Sequence, residues 1–276
     1  MRFRTEIGML SGGFKINHSD RIVLLGSCFA DNIGEKLKTD GFSVIHNPLG
    51  PLFNPESVCR VISRGDAPYE KDNLICFEGV WHCLDFANRY QSEDSEKLLG
   101  KINDDYMPLA QAIIDADVIV VTLGTNKVYR HNGITAGNCH KLPAKLFEEK
   151  YLSVAESEEI GNLLTKPRTI LTVSPVRYPG EGLAKGFLSK ATLRVAVENI
   201  CKKNGFDYFP AFEIVNDDLR DYRFYAADMR HPSEVAVDYI YEKFAEAYFT
   251  DETMRQALKN RKDNLKAAHR PIINDL

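Results

Sequence analysis

The chain has 276 residues, of which 44% are hydrophobic and 27% are charged, and its formal net charge at pH 7 is −4. This length suffices for one large α/β domain or two small ones, and the apolar content suffices for a core without disulfide bonds. The acidic balance argues against nucleic acid as a partner, because nucleic-acid-binding proteins usually present a basic face.

The sequence contains no run of about 18 apolar residues, so we expect neither a transmembrane helix nor a membrane partner. Residues 1–6 are charged and lack the apolar stretch of a signal peptide. The six cysteines form no Cys-x-x-Cys pair, which argues against a zinc knuckle and a thioredoxin-like motif. We therefore expect a cytoplasmic protein with reduced thiols.

Five apolar runs, rich in β-branched residues, predict strands at 22–25, 42–45, 118–122, 169–173 and around 208–210. Because the runs are continuous rather than alternating, these strands are expected to be buried on both faces, as in a parallel sheet. Helical patterns cover 29–39, 104–115, 188–203 and 232–249, with a weaker one over 148–163. The alternation predicts one doubly wound α/β domain over 1–250, followed by a charged surface helix or tail over 251–276.

Two long segments exceed a minimal α/β unit and predict insertions. In 48–103, two short apolar runs flank Gly79 and predict a hairpin. In 125–147, Asn132-Gly133 separates two strand-like runs, which is a strong signal for a two-residue hairpin turn. Both insertions leave from near the carboxyl ends of strands, where such sheets bind ligands, so we expect them to line the pocket.

The segment Gly26-Ser27-Cys28-Phe29-Ala30 joins the first predicted strand to the first predicted helix. Gly26 permits a tight turn, and the first N–H groups of a helix lack intrahelical partners. Two adjacent nucleophile candidates, Ser27 and Cys28, therefore lie at the positive end of a helix dipole, which favours a thiolate or a bound oxyanion. The alternative is a buried strand end with an inert cysteine.

A candidate acid–base pair, Asp228 and His231, lies between the last predicted strand and the last predicted helix. This spacing allows the imidazole to reach the sheet edge with the carboxylate beside its other ring nitrogen, which fixes the tautomer and stabilises the imidazolium. The alternative is a helix-capping Asp beside an ordinary loop His, because short motifs recur by chance.

Other strand ends supply candidate binding residues. Gly124 and Asn126, after the third strand, offer a close backbone approach and a side-chain amide for an oxyanion. The N–H of Gly50, in the Pro-rich loop after the second strand, is another candidate donor, and the alternative there is a rigid loop without a ligand role. Arg177, after the fourth strand, is expected to line the pocket, whereas Lys190 is interpreted as a structural ion-pair residue.

A metal site built from His82, Cys83, Cys139 and His140 is disfavoured, because the spacing matches no standard zinc pattern. The side chains of the consecutive residues Cys139 and His140 diverge, so they are not expected to pair with each other. The sequence also lacks a Walker A motif and a Gly-x-Gly-x-x-Gly motif, so neither a metal nor a dinucleotide cofactor is expected.

The ordered motifs resemble those of the GSCFA-domain family, a group in the SGNH-hydrolase-like clan, over roughly residues 3–250. The resemblance is carried by 26–30, 47–48, 54–55, 123–125, 138–141, 172–176, 189–190 and 219–225, and by positions 228 and 231. It implies a flavodoxin-like three-layer sandwich, with Asp228 and His231 in the acid–base roles. It also implies oxyanion- or substrate-binding roles for Asn47 and Asn54, and for His140 either a substrate-binding role or support of the residues that contact substrate. The chain departs from the family pattern at Ala87, where a His is expected, and this departure bears on specificity or rate.

The resemblance leaves the nucleophile open between two residues. The clan's first block is Gly-Asp-Ser, and an ungapped match places Cys28 at the nucleophilic Ser, whereas a shift by one residue places Ser27 there. We favour Cys28, because a thiol at a helix N-terminus beside a His is expected to have a lowered pKa.

The sequence thus predicts an acyl-transfer enzyme, either an esterase or an acyltransferase, that acts on a carbohydrate-like or small-molecule ester. A cysteine nucleophile favours transfer from a thioester, which makes acyl-CoA a candidate co-substrate. The competing hypothesis is a catalytically silent module that binds a glycan or a peptide in the same cleft. Nothing in the sequence indicates an oligomeric state.

Overall fold

The computed structural model describes residues 4–178, 180 and 182–268. Its strands are, in chain order, β1 (Arg21–Gly26), β2 (Ser43–His46), β3 (Ile75–Phe77), β4 (Val80–His82), β5 (Gln91–Ser92), β6 (Val118–Leu123), β7 (Lys127–His131), β8 (Ile134–Ala136), β9 (Glu148–Tyr151), β10 (Thr169–Val173) and β11 (Asp207–Tyr208). The helices are α1 (Cys28–Thr39), α2 (Pro55–Arg64), α3 (Ser95–Asp115), α4 (Val154–Glu158), α5 (Leu183–Asn204), α6 (Ala211–Glu213), α7 (Glu234–Tyr248) and α8 (Asp251–Ala268).

Five parallel strands form the central sheet in the order β11-β10-β6-β1-β2. Leu24 of β1 pairs with Val120 of β6 on one side and with His46 of β2 on the other. The chain moves outward from β1 to β2 and then returns to the other side of β1, so its direction of travel reverses between β1 and β6. The carboxyl ends of these two strands therefore border the crevice in which open α/β sheets bind ligands.

Alternate residues of the central strands pack into two separate cores. Val23 and Leu25 of β1 join a core that includes residues of α2, α3 and α5, whereas Ile22 and Leu24 join a core that includes residues of α1 and α7. Every residue of β6 is buried. The prediction of an α/β fold with a parallel sheet is therefore confirmed.

Two small antiparallel sheets, β3-β4-β5 and β8-β7-β9, are inserted into this unit. Asn132 and Gly133 have φ values of 49° and 79° and turn the chain between β7 and β8, which confirms the predicted hairpin. The hairpin predicted around Gly79 is also present, between β3 and β4.

Three helical segments differ from the predictions. The helix predicted over 104–115 begins earlier, because Asp94 caps α3 by accepting the N–H groups of the next turn. The stretch 148–163 is not one helix but β9, which pairs with β7, followed by the short α4. Helix α2 was not predicted, although Asn54 caps it and Pro55 occupies its first turn.

The carboxyl-terminal stretch is a helix, but it is not simply a solvated surface element. Arg261 of α8 forms an ion pair with Asp40 at 2.7 Å, and Asp40 and Ala257 are both buried. Residues 269–276 of the predicted tail lie outside the described residues. Across the described ranges, no helix is both long enough and apolar enough to span a bilayer.

Candidate active site

The turn between β1 and α1 is held by hydrogen bonds to β6 and to the loop after β2. Gly26 has a φ of +128°, and a Cβ atom there would collide with the Thr122 carbonyl, so a side chain does not fit. Ser27 N–H donates to Thr122 O (2.9 Å), and Leu52 N–H donates to Gly26 O (2.7 Å). Asn47 Oδ1 accepts the Gly26 N–H (3.0 Å), and Asn47 Nδ2 donates to Ser27 O (3.3 Å). The Asn47 amide is therefore committed to shaping the turn, which corrects its expected role in binding substrate.

Ser27 and Cys28 occupy different positions at the start of α1. Ser27 is the N-cap: its Oγ accepts the N–H of Phe29 (3.3 Å), and the residue is only 1% exposed. Cys28 is the first helical residue, is half-buried and borders an open cleft. Ser27 also borders the cleft, but its hydroxyl already serves as the helix cap, so the geometry favours Cys28 as the nucleophile candidate.

The cleft has a volume of about 270 Å³ and lies at the carboxyl edge of the central sheet. Its walls include Cys28, Asn54, Gly124, Tyr129, Cys139 and Arg177. A second arm of about 180 Å³ shares Gly124 and Arg177 with the first and continues past Phe187 and Phe212. The turn at Gly26–Cys28 (the elbow), the loops after β6 and β10, and both inserted segments thus border one concavity.

The electrostatics around Cys28 differ from the expectation. Burial is the largest influence and raises the pKa of the thiol, and Asp31 and Asp228 raise it further. Lys190 acts in the opposite direction. The predicted lowering of the Cys28 pKa is therefore wrong, because desolvation of the thiolate outweighs the favourable charges. A thiol in this state needs a base to become a nucleophile.

Asp228 and His231 contact each other in the segment before α7. His231 Nδ1 lies 2.6 Å from Asp228 Oδ2, while Asp228 Oδ1 accepts the N–H groups of Arg230 (2.9 Å) and His231 (3.1 Å). The hydrogen bond with the imidazole, followed by those from the backbone, holds the pKa of Asp228 well below its usual range. Both side chains are 44% exposed.

Among the described residues, neither Asp228 nor His231 lines either arm of the cleft, but the segment that carries them is joined to the cleft wall. Arg177, in that wall, donates its backbone N–H to Arg230 O (3.0 Å), and Asp228 raises the pKa of Cys28. Among the residues that the structure describes, no hydrogen bond links His231 to Ser27 or Cys28, and His231 Nε2 has no partner. The imidazole is thus oriented by its carboxylate, with one nitrogen open.

Two predicted backbone groups are already engaged within the protein. Gly50 N–H donates to Asn47 O (2.8 Å), and a Cβ at Gly50 would lie 2.5 Å from the Cβ of Ala87. Gly124 N–H donates to Phe53 O (2.8 Å). The prediction of Gly50 as an oxyanion donor is therefore corrected, whereas Gly124 still borders the cleft through its backbone. Ala87 packs against Gly50.

The amides of Asn126 and Asn54 have different surroundings. Asn126 is 4% exposed and its Nδ2 donates to Leu152 O (2.7 Å), which corrects its predicted role as an oxyanion donor. Asn54 Oδ1 accepts the N–H of Ser57 (2.9 Å), and the residue borders the cleft. No acceptor for Asn54 Nδ2 is found within the described residues, so this amide is a candidate donor to a ligand.

His140 faces another histidine rather than the cleft. Its Nδ1 lies 3.1 Å from Nδ1 of His82, and its Nε2 lies 3.0 Å from Phe86 O. Such a contact needs one donor and one acceptor, so at least one ring is neutral, and burial lowers the pKa of both. His140 is therefore a buried link between the two insertions, which is compatible with the predicted supporting role rather than with direct contact to a substrate. In the part of the chain that the structure describes, no group of three or more His, Cys, Asp or Glu residues is arranged to hold a metal ion.

Arg177 and Lys190 both line the second arm of the cleft. The Arg177 guanidinium lies over the Tyr225 ring, 4.1 Å from its centroid, and borders both arms of the cleft. Lys190 is 6% exposed, and its Nζ donates to Gly124 O (2.6 Å) and Ser174 O (2.7 Å). No carboxylate among the described residues pairs with Lys190, so its interpretation as an ion-pair residue is wrong. The sequence signal for Lys190 was its place in the Ser189-Lys190 motif of the family resemblance.

The GSCFA family model matches residues 21–244, from β1 into α7. The chain belongs to the GSCFA family. The matched range contains the elbow, Lys190 and the Asp228–His231 pair. A search of curated proteins finds no significant match.

Proposed function

We propose that this GSCFA domain is an acyl-transfer enzyme, an esterase or an O-acyltransferase, with an SGNH-type site on a flavodoxin-like three-layer sandwich. The observation that supports this most is the half-buried Cys28, which borders a cleft at a helix N-terminus. The Asp228–His231 pair lies on the segment that Arg177, a residue of the same cleft wall, holds through a backbone hydrogen bond to Arg230. The substrate is a carbohydrate-like or small-molecule ester, or a thioester such as acyl-CoA. The second arm of the cleft gives room for the other half of such an ester.

In this mechanism His231 Nε2 accepts the proton of the Cys28 thiol, and Asp228 stabilises the resulting imidazolium. The raised pKa of Cys28 makes this base necessary at neutral pH. The exposed segment that carries His231 has to approach the elbow, since catalytic hydrogen bonds often tighten only when substrate binds. The thiolate then attacks the carbonyl carbon, and the carbonyl electron pair moves to oxygen.

Two donors are suited to hold that oxygen. Cys28 N–H lies in the first turn of α1, where backbone donors lack intrahelical acceptors, and Asn54 Nδ2 borders the same cleft. Collapse of the intermediate expels the alcohol or thiol, which takes the proton from His231. Water or an acceptor hydroxyl then attacks the acyl-cysteine and regenerates the thiol.

The test is turnover of p-nitrophenyl acetate and of acetyl-CoA by Cys28→Ala, Ser27→Ala and His231→Gln. The matched control is Cys201→Ala, because Cys201 is also half-buried but packs against the core from α5. We expect kcat/KM to fall about 10³-fold in the Cys28 and His231 variants and to be unchanged in the control. If only Ser27→Ala loses activity, Ser27 rather than Cys28 is the nucleophile. If the wild type shows no saturable turnover, the proposal is refuted.

A second candidate function is a catalytically silent module that binds a glycan or a peptide in the same cleft. It is favoured by the exposure of Asp228 and His231, and by the missing hydrogen bond to Cys28 among the described residues. Calorimetric titration with a panel of soluble glycans and peptides tests it. Binding that survives in Cys28→Ala and His231→Gln, together with no turnover, supports this function over the enzyme.

A further inference from the structure

The two arms of the cleft differ in the side chains that they present to a ligand. The first arm, which Cys28 borders, carries polar side chains that include Asn54 and Tyr129. Apolar side chains line much of the second arm, namely Pro175, Val176, Leu183, Phe187 and Phe212. Gly124 and Arg177 line both arms, so one ligand can extend from Cys28 into the second arm.

Three polar side chains that line the second arm are hydrogen-bonded within the protein. Lys190 Nζ donates to two backbone carbonyls. Ser189 Oγ accepts the N–H of Asn126 (2.9 Å), and Asn216 Nδ2 donates to Phe212 O (2.8 Å). Because these groups already have partners, a sugar hydroxyl placed here would give up its hydrogen bonds to water for little in return. An apolar group needs no partner, so the arm is suited to an apolar occupant.

Two apolar side chains in the first turns of α5 line the second arm and yet are largely exposed. Leu183 and Phe187 are 66% and 65% exposed, and their spacing of four residues places them on the same face of the helix. The ring centroid of Phe187 lies 6.4 Å from that of Phe212. An apolar chain that occupied the arm would cover this surface and remove it from water, which favours binding.

We propose that the second arm holds the acyl chain of the substrate, and that this chain is apolar and longer than acetyl. This inference rests on the proposed function, in which Cys28 attacks the carbonyl of an ester or thioester. The arm has a volume of about 180 Å³, which corresponds to about six groups of the size of a water molecule, at about 30 Å³ each. The acyl group is therefore of the size of hexanoyl. The carbonyl lies beside Cys28, and the polar half of the ester stays in the first arm.

The first test is the chain-length preference, measured as the ratio of kcat/KM for p-nitrophenyl hexanoate to that for p-nitrophenyl acetate. We expect a ratio of about 30 in the wild type, because the additional methylene groups leave water in the arm. Gly186 also lines the arm, and a Cβ built there has only Tyr178 O within 4 Å, at 3.5 Å. Gly186→Leu should therefore fill part of the arm without a backbone clash and lower the ratio about tenfold.

A matched pair of variants checks the wall of the arm. Phe187 and Leu188 are neighbours on α5 and are 65% and 66% exposed, but of these two residues only Phe187 lines the second arm. We expect Phe187→Ala to lower the ratio about fivefold and Leu188→Ala to leave it at the wild-type value. A wild-type ratio near one, or the same ratio in wild type and Gly186→Leu, overturns the inference. Equal effects of Phe187→Ala and Leu188→Ala also overturn it.

A binding measurement separates this inference from the enzymatic function. Cys28→Ala, labelled with ¹³C in its phenylalanine rings, is titrated with hexanoate and with acetate and followed by NMR, because Phe187 and Phe212 line the arm. We expect hexanoate to bind at least about tenfold more tightly than acetate, and the difference to disappear when Gly186→Leu is added.

The two measurements can fail separately. If hexanoate binds as expected but the wild type turns over no ester, the acyl-chain site stands and the enzymatic function is refuted. If esters are turned over but hexanoate binds no more tightly than acetate, the enzymatic function stands and the acyl-chain site is refuted.

Discussion

The two halves of the proposed site are held in different ways. The elbow at Gly26–Cys28 is bonded to two other segments, the loop after β2 through Asn47 and Leu52, and β6 through Thr122. The Asp228–His231 pair is instead half-exposed, and the hydrogen bonds of its carboxylate stay within four consecutive residues. The nucleophile is thus fixed by tertiary structure, whereas the side chains of the acid–base pair are oriented by local contacts. Changes in the first half should cost stability, whereas changes in the second should cost only function.

The largest effect is expected from Gly26→Ala. The new Cβ collides with the Thr122 backbone at a φ that favours glycine, so the free energy of unfolding should fall by about 3 kcal/mol or more. Gly79→Ala is the matched control, since Gly79 also has a positive φ of 83° but has no atom within 4 Å of the new Cβ. Urea unfolding of both variants measures the difference. Equal losses would show that the elbow is not tightly packed.

A smaller loss is expected from Asn47→Ala. The substitution leaves the Gly26 N–H and the Ser27 carbonyl buried without their side-chain partners, which costs about 2 kcal/mol. Asn132→Ala provides the comparison: Asn132 also has a positive φ, but it is exposed in a hairpin turn. In urea unfolding, a similar loss in both variants would assign the effect to backbone conformation alone.

The same division between tertiary and local structure explains what could be predicted from the sequence. The five central strands were located because continuous apolar runs are sufficient to bury a strand on both faces. The turns at Gly26 and Asn132-Gly133 were located because their backbone angles demand particular residues. Helix α2 was not predicted, although Asn54-Pro55 is a recognisable helix start, because it lies inside an insertion whose clearest sequence signals are those of a hairpin.

The site residues that were misassigned share one cause. A sequence shows that Gly50 and Asn126 carry donors, but it does not show that Asn47 O and Leu152 O accept from them. For Lys190 the sequence shows a donor but not its acceptors, which are backbone carbonyls of segments far away in the chain. The predicted ion pair was therefore wrong. The Asp228–His231 contact was predictable because three residues of spacing are sufficient to make it.

Acidification should lower stability through the buried pair His82 and His140. Burial lowers the pKa of His82 and His140 in the folded state, so below about pH 6.5 the unfolded state binds more protons. Stability is therefore highest above that pH and falls as the pH drops further. The urea midpoint should decrease from pH 7 to pH 5 in the wild type, and less in the double variant His82→Gln/His140→Gln. If the urea midpoint of the double variant depends on pH as steeply as that of the wild type, the histidine pair does not cause the loss of stability in acid.

The smallest effect on stability, and the sharpest test of the comparison, is expected from Asp228→Asn. Both partners of the pair are 44% exposed, so the urea midpoint should stay at the wild-type value. Loss of the carboxylate removes the charge that stabilises the imidazolium, so kcat should fall by about 10²- to 10⁴-fold. A midpoint lowered as far as in Asn47→Ala would show that tertiary structure depends on this segment. An unchanged kcat in the folded variant would show that Asp228 does not assist His231 in catalysis. That result would favour the binding module over the enzyme.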